Sequence, residues 1–225
     1  MKSGMSMADK YPVTVDVVIF TVEEGRLKVL LIKRALPPFL GRWALPGGFL
    51  RAKEDTKGAA KRILRDKAGL AEVYLEQLYT FDEIGRDPRA QVISVVYFAL
   101  VDRNKMKIRE TAETQTPSFF DAKLLPKLAF DHKRITSYAH ERLQYKLEYT
   151  NAAYSLLPKK FTLTQLQGVY EAIRGQHLDK RNFRKKFLSL GLIKPTNERA
   201  SGGRARPARL YSFKEQKSVI LKRFF

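Results

Sequence analysis

The residues best suited to chemistry lie in one stretch, GGFLRAKEDTKGAAKRILRDKAGL, from Gly47 to Leu70. It holds two glycines, a lone Glu54, a helical segment with Arg62, and a closing Gly69-Leu70. A glycine-rich loop running into a helix can cradle phosphate. Hydrolysis of a diphosphate would also need carboxylates three and four residues apart on that helix, to hold magnesium and help activate water. This helix instead carries Ile63, Asp66 and Lys67. Isoleucine offers no ligand, Asp66 keeps an oxygen on a short stem, and Lys67 brings a positive charge to the metal's place. An ammonium can neutralise phosphate but cannot organise a metal-bound hydroxide.

The spacing as a whole resembles the Nudix hydrolase family, whose box reads G-x5-E-x7-R-E-U-x-E-E-x-G-U, with U a bulky aliphatic. Gly48, Glu54, Arg62, Leu64, Gly69 and Leu70 match it in register, and WALPGG looks like the family's approach to the box. Ile63, Asp66 and Lys67 stand where the family's other glutamates stand. The resemblance implies an α/β/α sandwich with a mixed sheet, in which the box binds diphosphate compounds. Three readings of the altered box stay open. The site is dead and the helix kept for folding; or carboxylates such as Asp82, Glu83 or Asp87 substitute; or a diphosphate is held, with Lys67 in place of the metal, and not cut. Arg34, Arg51 and Arg89, and also Arg86, are candidates for phosphate, with surface salt bridging as the alternative. Phe39 and Trp43 are candidates for stacking on adenine, or for loop packing.

Composition bounds the rest. The 225 residues suffice for one large domain or two small ones, and 44% hydrophobic residues allow a packed core. There are no cysteines, which excludes disulfides, thiol catalysis and the usual zinc cages. The three histidines form no H-E-x-x-H pattern. The longest apolar run, VISVVYFALV, is far short of the ~20 residues of a membrane helix. A cytoplasmic protein without membrane contact is expected. Net charge is +20 and unevenly spread. Residues 149–225 hold 17 Lys/Arg against 4 Asp/Glu, while residues 1–148 hold 26 against 19. The C-terminal third therefore carries an excess of 13, which points to a polyanion partner.

The elements that must position these residues follow from periodicity. Val13–Thr21 and Leu27–Ile32 flank the turn Glu23-Glu24-Gly25 as a hairpin. LPPFLGRWALPGGF reads as an ordered loop, Thr56–Lys67 as a helix, Val73–Phe81 and Gln91–Val101 as strands, and Phe130–Tyr149 as a long helix. A flexible residue 1–10 segment, an effector domain over 11–148 and a second domain over 149–225 are expected. The second opens with a helix capped by Thr162 or Thr164. Asp179 then caps a helix in LDKRNFRKKFLSL that anchors through Phe183, Phe187 and Leu190 and turns Arg181 and Lys185 outward. A hairpin with a long basic tip follows. Helix, helix, hairpin is the order of a winged helix-turn-helix.

The two halves together resemble the Nudix-related transcriptional regulators of NAD metabolism, the NrtR family, over nearly the whole chain after residue 10. The resemblance implies control of NAD genes by ADP-ribose or a related nucleotide, no required cofactor, no metal, and a homodimer. A dimeric winged helix would read palindromic duplex DNA. On that reading the effector site comprises Arg34, Phe39, Trp43, Gly48, Arg51, Glu54, Asp66, Lys67 and Arg89, with no catalytic residue. Arg181, Arg184 and Lys185 face bases or nearby phosphates; Lys180 and Lys186 meet backbone. Arg204, Arg206 and Arg209 belong to the wing, and Thr162 and Thr164 bring a helix N-terminus to phosphate. Two other classes stay open: a slow hydrolase of ADP-ribose or nucleoside diphosphates with an accessory domain, and an RNA-binding adaptor.

Overall fold

The computed structural model describes residues 11–70, 73–106, 114–200 and 207–221. In chain order the elements are β1 (Val13–Glu23), β2 (Arg26–Arg34), β3 (Trp43–Ala44), β4 (Gly47–Phe49), α1 (Thr56–Ala68), β5 (Tyr74–Phe81), β6 (Ile93–Leu100), β7 (Thr114–Asp121) and α2 (His132–Tyr149). Then come α3 (Leu163–Arg174), α4 (Lys180–Ser189), β8 (Ile193–Arg199) and β9 (Arg209–Phe213). The sheet runs β3-β2-β1-β6-β5, with β4 also paired to β1 and β7 to β2. β1 and β6 are parallel, from Val13 opposite Ile93 to Phe20 opposite Leu100, and the other pairs are antiparallel. The sheet is thus mixed, as the resemblance implied.

β1 shows why helices cover both faces. Side chains alternate along a strand, and from Val17 to Phe20 both sets here are apolar. Val15, Val17 and Ile19 pack with Ala59, Ala60, Ile63 and Leu64 of α1. Val18 and Phe20 point the other way, into the cluster that holds Ile135, Ala139 and Leu143 of α2. α1 is closed at both ends by its sequence. Asp55 accepts the Gly58 amide at 2.6 Å. Gly69, at φ 67°, ends the helix, with the Gly69 and Leu70 amides returned to Arg65 and Leu64 carbonyls. The Gly-Leu that closes the box is therefore a helix stop.

β3, β4 and β7 are additions to the sequence reading. The first two lie in the Pro/Gly-dense stretch assigned to loop, and are only two and three residues long. β7 contains Pro117 and pairs along β2.

The C-terminal unit is the expected helix, helix, hairpin. Thr162 caps α3 in a capping box, its hydroxyl on the Gln165 amide and the Gln165 side chain on the Thr162 amide. Asp179 caps α4. Tyr170 meets Phe183 and Phe187 with ring centroids 5.4 and 5.6 Å away, and Phe213 of β9 lies on Phe161 at 5.1 Å. One apolar cluster continues from Phe20 in the sheet to Leu166, Tyr170 and Phe187 in this unit. His140 Nε2 and the Gln144 amide of α2 both reach the Ile173 carbonyl of α3, at 2.8 and 3.0 Å. The segment 217–221 returns to the junction: the Leu221 amide donates to the Tyr149 carbonyl at 2.7 Å, and Asn151 clasps Val219 and Lys217 backbone. The expected residue 1–10 segment lies outside the described residues.

Candidate effector cavity and nucleic-acid interface

The box is held together by one ion pair. Arg62 donates to both oxygens of Glu54, each at 2.8 Å, and also to the Phe49 carbonyl. Hydrogen bonding from Arg62 holds the Glu54 carboxyl down at about 2. The expected single face of Ile63, Asp66 and Lys67 is not formed. Ile63 is 2% exposed in the core and Lys67 is also buried, while Asp66 is exposed beside Arg65 at 3.9 Å. Three and four residues apart on a helix span about 100° of its face; here that arc straddles the boundary between core and solvent. These residues do not fit a divalent metal: Ile63 supplies no oxygen, Glu54 is engaged by Arg62, and Asp66 stands apart.

A cavity of about 240 Å³ opens beside β4. β1 contributes Thr14 and Asp16, β2 contributes Ile32 and Arg34, and β4 contributes Gly47, Gly48 and Phe49. The loop before β6 brings Arg86, Asp87 and Arg89, and the start of α2 brings Phe130 and His132. Most of its charges are paired. Arg86 donates to both oxygens of Asp131, at 2.8 and 3.1 Å, and Arg89 to both oxygens of Asp87, at 2.6 and 3.0 Å. Burial pushes Asp87 up, but the Arg89 hydrogen bonds outweigh it and hold the carboxyl below its usual range. Arg34 is bound by its own loop, donating to the Pro38 carbonyl at 2.7 Å. Its guanidinium lies 4.8 Å from the Phe130 ring centroid, and that of Arg89 lies 5.2 Å from Phe49 and 5.6 Å from Phe130. Phe130 has φ 52°, a strained setting for a bulky side chain. His132 accepts the Leu45 amide on Nδ1 at 2.9 Å, and burial presses its pKa down, so the ring is neutral with the proton on Nε2.

Of the nine effector candidates, the cavity gathers Arg34, Gly48 and Arg89. Arg51, Glu54, Asp66 and Lys67 do not line it. Trp43 is spent on packing, 4.7 Å edge-on to Phe120, and Phe39 lies against Phe130 at 5.0 Å behind the cavity wall. The sequence reading did not single out Thr14, Asp16, Phe49, Phe130 or His132 as site residues. Asp16 did leave a signal: it is the one acid inside the apolar run VTVDVVIFTV.

In the C-terminal unit, Lys180, Arg181 and Lys185 are exposed on α4, opposite the buried Phe183 and Phe187. Arg184 is half-buried and donates to the Thr164 hydroxyl at 3.1 Å, so it braces α4 on α3 rather than standing free. The Thr162 amide is taken by the Gln165 side chain, which leaves the other amides of the first turn of α3 as the ones that could face phosphate. Lys186 is exposed, and Arg209 is exposed where β9 begins, across from Arg199. Arg204 and Arg206 lie outside the described residues.

Comparison with known proteins agrees with both halves. The NUDIX domain family matches residues 10–139, and the NrtR DNA-binding winged helix domain matches residues 153–213. An ADPR responsive transcriptional repressor, NtrR, from Acinetobacter baylyi is 39% identical over 204 residues, covering 89% of this chain and 81% of that one. NrtR of Shewanella oneidensis, crystallised with a 27mer DNA, is 34% identical with a TM-score of 0.80, covering 90% of this chain and 93% of that one. Its Nudix domain complexed with ADP ribose is 36% identical with a TM-score of 0.55, covering 60% and 89%. An ADP-ribose pyrophosphatase of Methanocaldococcus jannaschii is 41% identical over 108 residues, covering 48% of this chain and 63% of that one. The chain belongs to the NrtR family, a Nudix domain joined to a DNA-binding winged helix.

Proposed function

We propose that the protein represses genes of NAD metabolism and is released from its operator by ADP-ribose or a closely related NAD-derived nucleotide. The observation that carries this reading is α2. It begins in the cavity with His132 and ends its path on the DNA-reading unit, where His140 and Gln144 hold the Ile173 carbonyl. The relatives named above are described as ADPR responsive and as bound to DNA or ADP ribose, which supports the same assignment. The domain division at residues 148/149, a homodimer and a palindromic operator complete the proposal; two-fold dimers read paired half-sites.

The nucleotide is bound and not cut. Neither Ile63 nor the Arg62-locked Glu54 can hold a metal against a diphosphate. The hydrolase reading keeps one supporting fact, the pyrophosphatase of M. jannaschii. Incubation with ADP-ribose and Mg²⁺ or Mn²⁺ separates the two. AMP release near the ~10 s⁻¹ of a typical enzyme would overturn the binding-only reading.

For control of DNA binding, an operator duplex is first selected from a random pool. It is then titrated with and without saturating ADP-ribose, and ADP-ribose with and without the duplex. A coupling of about 1–3 kcal/mol changes DNA affinity about 5- to 150-fold, and reciprocity demands the same factor in both directions. Bound ADP-ribose with unchanged DNA affinity would overturn the proposal.

A further inference from the structure

The cavity contains one buried carboxylate that its surroundings leave unfinished. Arg86 and Arg89 each have an acid of their own, and Arg34 is bound by loop carbonyls. Asp16, with its side chain 9% exposed, has no cation of that kind among the described residues. Its Oδ2 accepts the Ser94 hydroxyl at 2.5 Å. Its Oδ1 lies 3.8 Å from His132 Nε2, too far for a hydrogen bond. The ring is neutral there; Arg34 and Arg89 act on the Asp16 charge only through space, their printed hydrogen bonds going to loop carbonyls and to Asp87. A carboxylate oxygen accepts two donors with ease, and a buried charge without partners is costly.

Gly47 gives a second, independent observation. β4 pairs with β1 so that Gly47 lies opposite Asp16. A Cβ at Gly47 would sit 1.9 Å from Asp16 Oδ1 and 3.0 Å from its Cγ. The φ of Gly47 is not left-handed, so the backbone does not call for glycine. What the glycine preserves is room for this oxygen.

We infer that Asp16 Oδ1 reads the effector by accepting a hydrogen bond from an N–H or O–H donor of the bound nucleotide, with Ser94 positioning the carboxylate and Gly47 keeping it clear. The inference rests on the proposed nucleotide effector and names its specificity group. Two sources supply such a donor, the exocyclic amine of the base and the hydroxyls of a ribose. A phosphate at this end of the ligand is repelled, which gives selectivity by exclusion.

Calorimetric titration of the full chain tests this. Wild type, Asp16→Asn and Gly47→Ala are each titrated with ADP-ribose, with its analogue carrying unsubstituted purine, which lacks the amine and gains no N1 proton, with the analogue carrying 2′-deoxyadenosine, and with ADP, which lacks the terminal ribose. A hydrogen bond to a charged group makes Asp16→Asn lose about ten- to hundred-fold in ADP-ribose affinity. For the one analogue lacking the donor that Asp16 reads, wild type and Asp16→Asn agree within about twofold, and that analogue names the source. Gly47→Ala keeps the carboxylate but crowds it, and weakens ADP-ribose in the same direction. If Asp16→Asn does not fold, Gly47→Ala and the wild-type analogue series still decide. Asp16→Asn binding ADP-ribose like wild type, or losing equally for every ligand, overturns this inference alone. A wild type that ADP-ribose does not bind overturns the effector reading and this inference with it.

Discussion

Arg86 and Arg89 in the cavity each face a carboxylate that is mostly buried, whereas Lys180, Arg181 and Lys185 on α4 are exposed and make no ion pair among the described residues. Both regions are cationic, yet they suit different ligands. A guanidinium fixed by its own acid and laid on an aromatic ring presents one face in one place, and needs little reorganisation when a small ligand arrives. A mobile cation at the surface neutralises whichever phosphate of a polymer lies beneath it and releases that phosphate's counterion. Charge alone therefore does not distinguish the two regions. The pairing does, and it fits the proposed division between a site for one molecule and a surface for a repeating polyanion.

Salt is the sharpest way to break this comparison. With roughly six or more phosphates contacted, duplex affinity should fall by about 10³-fold or more between 50 and 200 mM salt. ADP-ribose affinity should change by less than about tenfold over the same range, because it carries only two phosphates. Fluorescence anisotropy for DNA and calorimetry for ADP-ribose give the two slopes; equal slopes would erase the distinction.

Placing the same new carboxylate in each half is the next test. Ile63→Glu puts an unpaired charge into the core under α1, at a cost of about 3 kcal/mol or more. Lys185→Glu changes an exposed residue and should leave thermal stability within about 0.5 kcal/mol while weakening DNA binding. Melting curves with DNA titrations check both. This outcome reverses what the box alone suggests, namely that a glutamate at position 63 would rebuild a metal site. An Ile63→Glu protein as stable as wild type would restore that idea.

How much of this was legible in the sequence differs between the halves for a physical reason. α3 and α4 were readable because their signals are local: the Thr162 and Asp179 caps, and the i, i+4 pair Phe183 and Phe187. β1, β2, α1 and the turn at Gly25 were readable on the same grounds. The cavity was not, because Asp16, Arg34, Gly47, Arg89 and His132 come from five distant segments and meet only through the sheet's pairing. The fate of Trp43 depended on Phe120, a residue 77 positions away on β7, a strand with Pro117 that gave no clear strand signal. Glu54 reads from the sequence as part of a binding site, yet its spacing of eight residues from Arg62 lets the two close on each other.

Within the DNA-reading half the comparison can be refined. Arg181 is exposed on α4 with no ion pair among the described residues, while Arg184 is tied to Thr164. Arg181→Ala should cost about 1–3 kcal/mol against the selected operator and flatten its preference over mismatched duplexes, if it holds a base edge in bidentate fashion. Lys180→Ala should weaken all duplexes alike and reduce the salt slope by about one. Binding of a panel of single-mismatch duplexes checks both. Identical profiles for Arg181→Ala and wild type would move base reading off this face of α4.

The smallest expected effect concerns the joint between the halves. At one end of α2, Asp131 holds Arg86 at 2.8 Å and His132 lines the cavity. Two turns on, His140 and Gln144 converge on the Ile173 carbonyl, in the last turn of α3. Carbonyls at a helix end lack partners within their own helix, so these two side chains satisfy an acceptor that α3 cannot satisfy itself. A displacement of α2 along its axis then pulls on α3, and α3 leads through Gly175 into α4. Gln144→Ala combined with His140→Ala should leave ADP-ribose affinity and DNA affinity near wild type when each is measured alone. The factor by which ADP-ribose weakens DNA binding should shrink by about 2- to 30-fold, the range for residues that touch neither ligand. Tyr145→Ala is the control, since Tyr145 is 57% exposed on the same helix and should leave the factor unchanged. Measuring the factor from both sides guards against a change in association state, because simple linkage requires the two values to agree. If the double variant keeps the full factor, coupling passes instead through other contacts between the halves, such as the packing of α3 on β2 or of Tyr154 on Tyr74.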